Sequence, residues 1–271
     1  MKTDPLKDAG LDQPVEPASP ALVEAVTAQS ARRPRRARGP WRVLLNRNYA
    51  LLFWGQLISS TGTQMQVVAV AWQVLLLTNN PVALGLIGLV QAIPRLVFSL
   101  VGGVLADMFD RRKMLLIIEV VLASTSAILA LCTIFHMINL IIIYTVVLIS
   151  SSVSAFEYPT RQAIVPSLVK REEMASALSL NTVMMQFTFI AGPAAGGFAI
   201  AWLGVANTYW FDVISYFVVI GSLLLMAVPR VPPEKRAQGG VPALVDGMRF
   251  LRAHPIILAV LSLDFVATFF G

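Results

Sequence analysis

Ionisable side chains inside long apolar runs are the residues of this sequence that could do chemistry. Arg95 and Glu119 lie in two such runs, which follow one another along the chain. A charge inside a membrane is costly, so both residues are candidates for a proton or substrate role. Their predicted depths differ by about 9 Å, which makes a direct ion pair marginal. Structural pairing and extension of the side chain toward water are the alternative interpretations.

A polar stripe in the first apolar run is a second candidate site. Gln56, Ser60, Thr63 and Gln64 recur there at helical spacing. Polar groups at this density should face a cavity or another helix rather than lipid. Asn181, in the fifth run, allows the same two interpretations. Hydrogen bonding between helices explains all five residues as well as a cavity does.

The sequence contains no pattern typical of a catalytic or metal site. Its two histidines, His136 and His254, lie near predicted membrane boundaries and far apart in the sequence. Its one cysteine, Cys132, lies inside an apolar run. We find no phosphate-binding loop and no arrangement of a nucleophile with a base. We therefore predict that the protein is not an enzyme, with no catalytic residues, no metal site and no cofactor.

The composition excludes most classes of soluble protein. The 271 residues are 56% hydrophobic and 13% charged, which is too apolar for a soluble domain of this size. The formal net charge of +6 could suggest nucleic-acid binding, but the basic residues are concentrated in the gaps between apolar runs. We therefore predict a membrane protein whose partners include the lipid bilayer and exclude nucleic acid.

Hydropathy and length predict an all-α membrane protein. A bilayer core needs about 20 apolar residues per helix. Six complete runs meet that requirement, at 49–77, 82–106, 114–135, 139–160, 176–203 and 208–228, and an incomplete seventh starts near Pro255. The predicted domains are a disordered basic cytoplasmic tail at 1–40, a six-helix transmembrane bundle at 41–228, a cytoplasmic linker at 229–254 and the incomplete start of a second transmembrane bundle at 255–271.

The distribution of Lys and Arg predicts the orientation in the membrane. The gaps near 78–81, 136–139 and 204–208 contain neither residue, whereas the opposite gaps and the N-terminal tail are basic. Basic loops stay on the cytoplasmic side of a membrane. We therefore predict a multi-pass protein of the plasma (inner) membrane with a cytoplasmic N-terminus. Trp72 and Trp202 fall near predicted outer ends, as interfacial tryptophans do.

A charged break separates the second and third runs. Its defining residues are Gly103, Asp107, Arg111 and Arg112. A loop this short should make the two flanking helices antiparallel neighbours. The break resembles the signature loop between transmembrane helices 2 and 3 of the major facilitator superfamily. Asp110 stands where that loop usually has glycine, and we expect it to adopt the left-handed turn conformation, which aspartate tolerates better than most residues.

The fifth run contains a second motif, rich in small residues. Its defining positions are Gly192, Pro193, Gly196 and Gly197. Proline kinks a helix, and small residues permit close contact between helices. The run resembles the antiporter motif of helix 5 in facilitator exporters, and this resemblance implies proton-driven export. A generic packing seam of small residues is the alternative.

The end of the fourth run contains Glu157 and Arg161 at the spacing of an i,i+4 ion pair. We predict that this pair closes the helix, and a solvated surface pair is the alternative. The surrounding segment resembles the drug and siderophore efflux branch, of the enterobactin-exporter type. That resemblance implies that Asp107 caps a helix of the second bundle. It also implies that Arg111 or Arg112 pairs with the acidic end of helix 4, holding a cytoplasmic gate shut.

The resemblance as a whole implies the N-terminal half of a facilitator exporter with a truncated helix 7. In that fold one six-helix bundle rocks against a second around a midplane cavity. The expected partners are protons and a small amphipathic substrate, such as a drug or a siderophore. A second half-transporter chain is a further candidate partner. The alternative function is a non-transporting half-size membrane subunit or an inactive truncated remnant.

Overall fold

Six α-helices account for most of the part of the chain that the structure describes. The structure is a computed structural model, which describes residues 40–108, 110–226 and 263, with the backbone alone for residues 40 and 99–108. The helices are α1 (Arg47–Thr78), α2 (Pro81–Met108), α3 (Arg111–Ile134), α4 (Leu140–Leu168), α5 (Met174–Leu203) and α6 (Val205–Leu225). Short 3₁₀ helices at Pro40–Leu45 and Arg171–Glu173 precede α1 and α5.

These six helices match the six complete apolar runs, with one clear difference in length. The fourth run was expected to end at residue 160, at the Glu157–Arg161 pair, but α4 continues to Leu168. The prediction that the pair closes this helix is therefore wrong. The additional turns bury Ile164 and Leu168 in an apolar cluster, and this packing stabilises them beyond Pro159. The predicted segments at 1–40, 229–254 and 255–271 lie outside the described residues, apart from Pro40 and Leu263.

Side-chain caps and left-handed residues define the helix ends. Asn46 and Asn139 each accept a backbone hydrogen bond at the N-terminus of a helix, α1 and α4 respectively. Asn79 ends α1 in the left-handed conformation, with φ of 48°. Gly204 separates α5 from α6 with φ of 83°. Glycine adopts that backbone conformation without steric strain, so the chain can reverse there within one residue.

Helix α1 is central to the packing of the bundle. It packs extensively on α5 and α6, whereas α3 packs on α4 and α6, and α2 packs chiefly on α4. The prediction that α2 and α3 are packing neighbours is therefore wrong, because these two helices touch only slightly. A short loop brings only the adjoining ends together. Elsewhere α4 contacts both helices, and it takes the place expected for a direct α2–α3 contact.

The bundle has apolar layers toward its two ends and a polar layer between them. One end cluster includes Tyr49, Leu115 and Ile164. The other includes Val74 and Tyr209, with residues from α1, α2, α3, α4 and α6. The buried polar residues between them include Gln56, Ser59, Glu119, Thr125, Ser126, Ser151 and Asp212. This middle layer is where the side chains with chemistry are held.

Five of the helices, α2 to α6, are long and apolar enough to cross a membrane. Their outer faces expose large apolar side chains such as Ile190, Trp202 and Phe217, as expected for contact with lipid. Helix α1 is also long, at 32 residues, and its polar side chains make it less apolar than the others. The observed fold is therefore an all-α membrane bundle, as the sequence predicted.

Candidate functional site

A small polar cleft lies in the middle of the bundle. Its volume is about 70 Å³. Its apolar lining is Val67, Val70, Leu122 and Val147. Its polar lining comes from α1, α2, α4 and α6, and consists of Thr63, Gln66, Gln91, Arg95, Ser150, Ser151, Ser154, Glu157 and Tyr216. The cleft thus contains one basic and one acidic side chain among neutral hydrogen-bonding groups.

The predicted polar stripe of α1 does not form one surface. Thr63 lines the cleft and its hydroxyl lies 3.0 Å from that of Tyr216. Gln56 is buried beside Glu157 and donates to Ser60 at 3.3 Å. Gln64 lies against α5. Both proposed explanations therefore apply, with Thr63 facing the cleft and the others contacting neighbouring helices or one another.

Several cleft residues were missed from the sequence. The serines of α4 at 150, 151 and 154 line the cleft, as does Gln91. A run of serines within an apolar segment was a visible signal, because the rule applied to α1 applies to α4 as well. Asn181 on α5 is half-buried, and it is not among the residues that line the cleft.

Glu157 links the cleft to the interior of the bundle. Its Oε1 accepts a hydrogen bond from Gln56 Nε2 at 2.8 Å and lies 3.6 Å from Arg161 Nη1. The i,i+4 spacing therefore produces the expected pair, even with Pro159 between the partners. The side chains of Glu157 and Arg161 are only 19% and 9% exposed. The alternative of a solvated surface pair is therefore wrong.

Glu119 is the least compensated polar group of the polar layer. It is fully buried, and neither carboxyl oxygen has a hydrogen-bond partner among the described residues. It interacts electrostatically with Glu157, Arg161 and Asp212. Arg161 also has two guanidinium nitrogens, Nε and Nη1, without a hydrogen bond in this part of the chain. Glu119 and Glu157 thus share one nearby cation.

Arg95 does not form the ion pair with Glu119 that was considered from the sequence. No salt bridge joins the two side chains in the described structure. Arg95 instead lines the cleft. It lies about 20 Å from either end of α2, near the middle of that helix. Structural pairing with Glu119 therefore does not account for its position, and extension toward water and a proton or substrate role stay predictions.

Asp212 is a buried carboxyl with partners. It accepts a hydrogen bond from Ser126 Oγ on α3 at 2.7 Å, and Ser215 Oγ lies 3.5 Å from its other oxygen. Gly62 of α1 packs directly on this group, because a Cβ there would lie 2.8 Å from Asp212 Oδ1. Asp212 therefore holds α1, α3 and α6 together.

The loop between α2 and α3 has a different local structure from the one expected. Helix α2 continues to Met108, so Gly103 and Asp107 belong to its last turns, and their side chains lie outside the described set. Asp110 has φ of −66°, and its carboxylate accepts from the backbone N–H groups of Arg112 and Lys113. The expected left-handed conformation is therefore wrong. Aspartate suits this position because it caps the N-terminus of α3.

The two arginines of the loop contact two different helices. Arg111 Nη1 donates to the backbone carbonyl of Ala163 on α4. Arg112 Nε and Nη2 donate to the carbonyls of Leu223 and Leu224 on α6, both at 2.9 Å. Arg111 thus contacts α4, as expected, but its partner there is a backbone carbonyl and not an acidic side chain. Arg112 satisfies last-turn carbonyls of α6, where a cation also interacts favourably with the helix dipole.

The small-residue motif of α5 forms a close contact with α1. A Cβ on Gly192 would collide with Gln64 Cβ, and a Cβ on Gly196 would lie 3.0 Å from Met65 Cα. Gly197 has open space around it. Pro193 lies inside a continuous helix. The geometry matches the packing-seam interpretation, and the antiporter role of these residues stays a prediction.

Comparison with known proteins places this fold in a family. The family model described as transmembrane secretion effector matches residues 38–271. The MFS-type transporter YkuC of Bacillus subtilis is 28% identical over 73% of this chain and 45% of its own length. The enterobactin exporter EntS of Shigella boydii is 27% identical over 77% of this chain and 50% of its own length.

A third relative, the staphyloferrin A transporter of Staphylococcus aureus, is 27% identical over 72% of this chain and 48% of its own length. The chain spans about half the length of these relatives. The name of YkuC includes the abbreviation MFS, for the major facilitator superfamily, whose signature loop the sequence resembles. The region that the family model matches includes all six helices. The chain belongs to the transmembrane secretion effector family of major facilitator superfamily transporters.

Proposed function

We propose that the protein exports a small amphipathic compound by proton-coupled alternating access, with residues 41–228 forming one of the two moving bundles. In this proposal the protein lies in the inner membrane with its N-terminus in the cytoplasm. Relatives named as an enterobactin exporter and a multidrug efflux pump support the outward direction of transport. The observation that carries the proton coupling is Glu119, a buried carboxyl without a hydrogen-bond partner in the described structure.

The physical argument starts from the cost of a buried charge. An ionised carboxylate without donors is strongly destabilised in a membrane interior, and uptake of a proton removes that cost. After Glu119 releases its proton, the new charge competes with Glu157 for Arg161. Weakening of the Glu157–Arg161 contact changes the charge that faces the cleft. Proton occupancy of Glu119 and substrate occupancy of the cleft thereby depend on each other.

The test is proton exchange in everted membrane vesicles from cells that express the native gene. A pH gradient is established and reported by quenching of a fluorescent amine, and an amphipathic dansyl probe is then added. We expect the probe to restore fluorescence in wild-type vesicles, since its transport uses the gradient. Glu119→Gln should slow this response at least tenfold at equal membrane abundance, because loss of an essential proton carrier stops the cycle.

The matched control is Glu172→Gln, which removes a carboxylate from an exposed position before α5. It should exchange protons at the wild-type rate. An unchanged rate in Glu119→Gln vesicles would remove Glu119 from the coupling mechanism. Transport of the probe by wild-type protein without any loss of the pH gradient would reject proton coupling itself.

A further inference from the structure

We propose that Arg95 forms an oxyanion-binding subsite in the cleft, so that the compound carried is an amphipathic molecule with a carboxylate or a similar anionic group. This inference rests on the proposed export function, and it specifies the charge of the exported compound. It is based on the charge, depth and hydrogen-bonding state of the residues that line the cleft.

The depth of Arg95 requires a polar partner. The residue lies about 20 Å from both ends of α2, and an arginine at this depth of a membrane is costly unless something compensates its charge. Among the described residues Arg95 has no ion pair. It lines the cleft, where a bound ligand could supply that compensation.

The other charged group of the cleft is already compensated. Glu157 is held by Gln56 at 2.8 Å and by Arg161 at 3.6 Å. Arg95 is therefore the charged residue of the lining that lacks a polar partner among the described residues. A ligand with a negative group can supply that partner, whereas a cationic ligand is repelled by it.

Neutral donors line the same cleft as Arg95. The side chains of Gln66, Gln91 and Ser151 line it, and the described structure shows no hydrogen bond from any of them. Each can donate to an oxyanion. Arginine adds a planar pair of N–H groups that matches the two oxygens of a carboxylate. The lining therefore offers several neutral donors in addition to one cation.

The size of the cleft fits a head group and not a whole compound. Its volume of about 70 Å³ is far below the roughly 300–1,000 Å³ of sites that enclose drug-sized ligands. The rest of an amphipathic molecule would extend beyond the cleft. A lipid phosphate is an unsuitable occupant, because headgroups lie at the membrane surface, about 15 Å from the middle of the hydrocarbon core.

The test compares three probes that share a fluorophore and differ in charge: dansylglycine (anionic), dansylamide (neutral) and dansylcadaverine (cationic). Binding is measured by fluorescence with the protein purified from its native gene in phosphatidylcholine nanodiscs. We expect wild-type protein to bind dansylglycine most tightly. Arg95→Gln should lower the affinity for dansylglycine at least tenfold, which is the effect of losing one charge-assisted contact. Arg95→Lys should lower this affinity less, because the charge remains.

The control variant is Arg42→Gln, which removes an exposed arginine from the 3₁₀ helix before α1. It should leave all three affinities unchanged. An equal loss for all three probes in Arg95→Gln would mean that Arg95 only shapes the cleft, and would overturn the proposal. Unchanged dansylglycine binding, tighter wild-type binding of dansylcadaverine, or no binding of any probe would overturn it as well.

This binding test is independent of transport. If wild-type vesicles fail to exchange protons but the purified protein still selects dansylglycine through Arg95, the export proposal is rejected and the oxyanion subsite stands. If proton exchange occurs with dansylcadaverine and not with dansylglycine, the export proposal stands and the subsite is rejected.

Discussion

Two buried carboxyl groups of the same bundle are held in contrasting ways. Asp212 and Glu119 are both 0% exposed. Asp212 accepts from Ser126 at 2.7 Å and packs against Gly62. Glu119 has no hydrogen-bond partner for either oxygen in the described part of the chain. One carboxyl is thus enclosed by matching donors, and the other is enclosed without them.

The difference separates a structural polar group from a functional candidate. Buried polar groups are normally hydrogen-bonded, since an unpartnered one destabilises the fold. Asp212 follows this rule and joins three helices. Glu119 departs from it beside an ion pair that reaches the cleft, so its environment changes with its protonation. Three substitutions test this contrast through stability.

The largest effect is expected at Gly62. In Gly62→Ala the new Cβ would collide with Ser215 and approach Asp212 Oδ1. Overpacking of this kind destabilises a fold by about 1–3 kcal/mol, and each kcal/mol lowers the melting temperature by about 2–4 °C in a chain of this size. Thermal unfolding of the purified protein in detergent measures the change.

Gly221 on α6 supplies the matched control for this substitution, because a Cβ there would meet no neighbouring atom within 4 Å. Gly221→Ala should leave the melting temperature unchanged or raise it, since alanine favours a helix over glycine. Equal melting temperatures for the Gly62→Ala and Gly221→Ala variants would show that α1 does not pack closely on Asp212.

An intermediate effect is expected for Asp212→Leu. The substitution removes the acceptor for Ser126 and leaves a buried hydroxyl without that partner, so we expect a loss of about 1–2 kcal/mol. The measurement is again the melting temperature. Adding Ser126→Ala to Asp212→Leu should recover part of the loss. If the effects of the two substitutions on the melting temperature are simply additive, the hydrogen bond between α3 and α6 does not stabilise the bundle.

The smallest effect, of opposite sign, is expected for Glu119→Met. The substitution replaces an unpartnered carboxyl with an apolar side chain of similar length, so the melting temperature should rise, by the equivalent of up to about 1 kcal/mol. The same variant should lose probe-driven proton exchange. A melting temperature lower than that of wild type would place Glu119 with Asp212 as a structural group.

The sequence predicted the helices well because the contrast between apolar runs and polar gaps is large. All six runs became helices, and most ends differ by a few residues. The predicted end of α4 was wrong because the charged Glu157–Arg161 segment was read as the end of the helix, and hydropathy alone does not show the packing of Ile164 and Leu168 that continues it. Local signals were overridden there by tertiary contacts.

The site was predicted less completely, because the sequence does not show which neighbouring helix each polar residue faces. Gln56, Thr63 and Gln64 were grouped as one stripe, yet they contact α4, α6 and α5 respectively. A helix in contact with several neighbours is polar on more than one face. The partners of Arg112 are backbone carbonyls, and such acceptors leave no trace in a pattern of side chains.

The hydrogen bonds from Arg112 to α6 have a consequence for the order of assembly. Arg112 precedes Leu223 and Leu224, whose carbonyls accept these bonds, by 111 and 112 residues in the sequence. Because a chain is synthesised from its N-terminus, α3 has left the ribosome long before α6. The last turn of α6 therefore meets a donor that is already in place, so α6 is guided to its position by the helices synthesised before it.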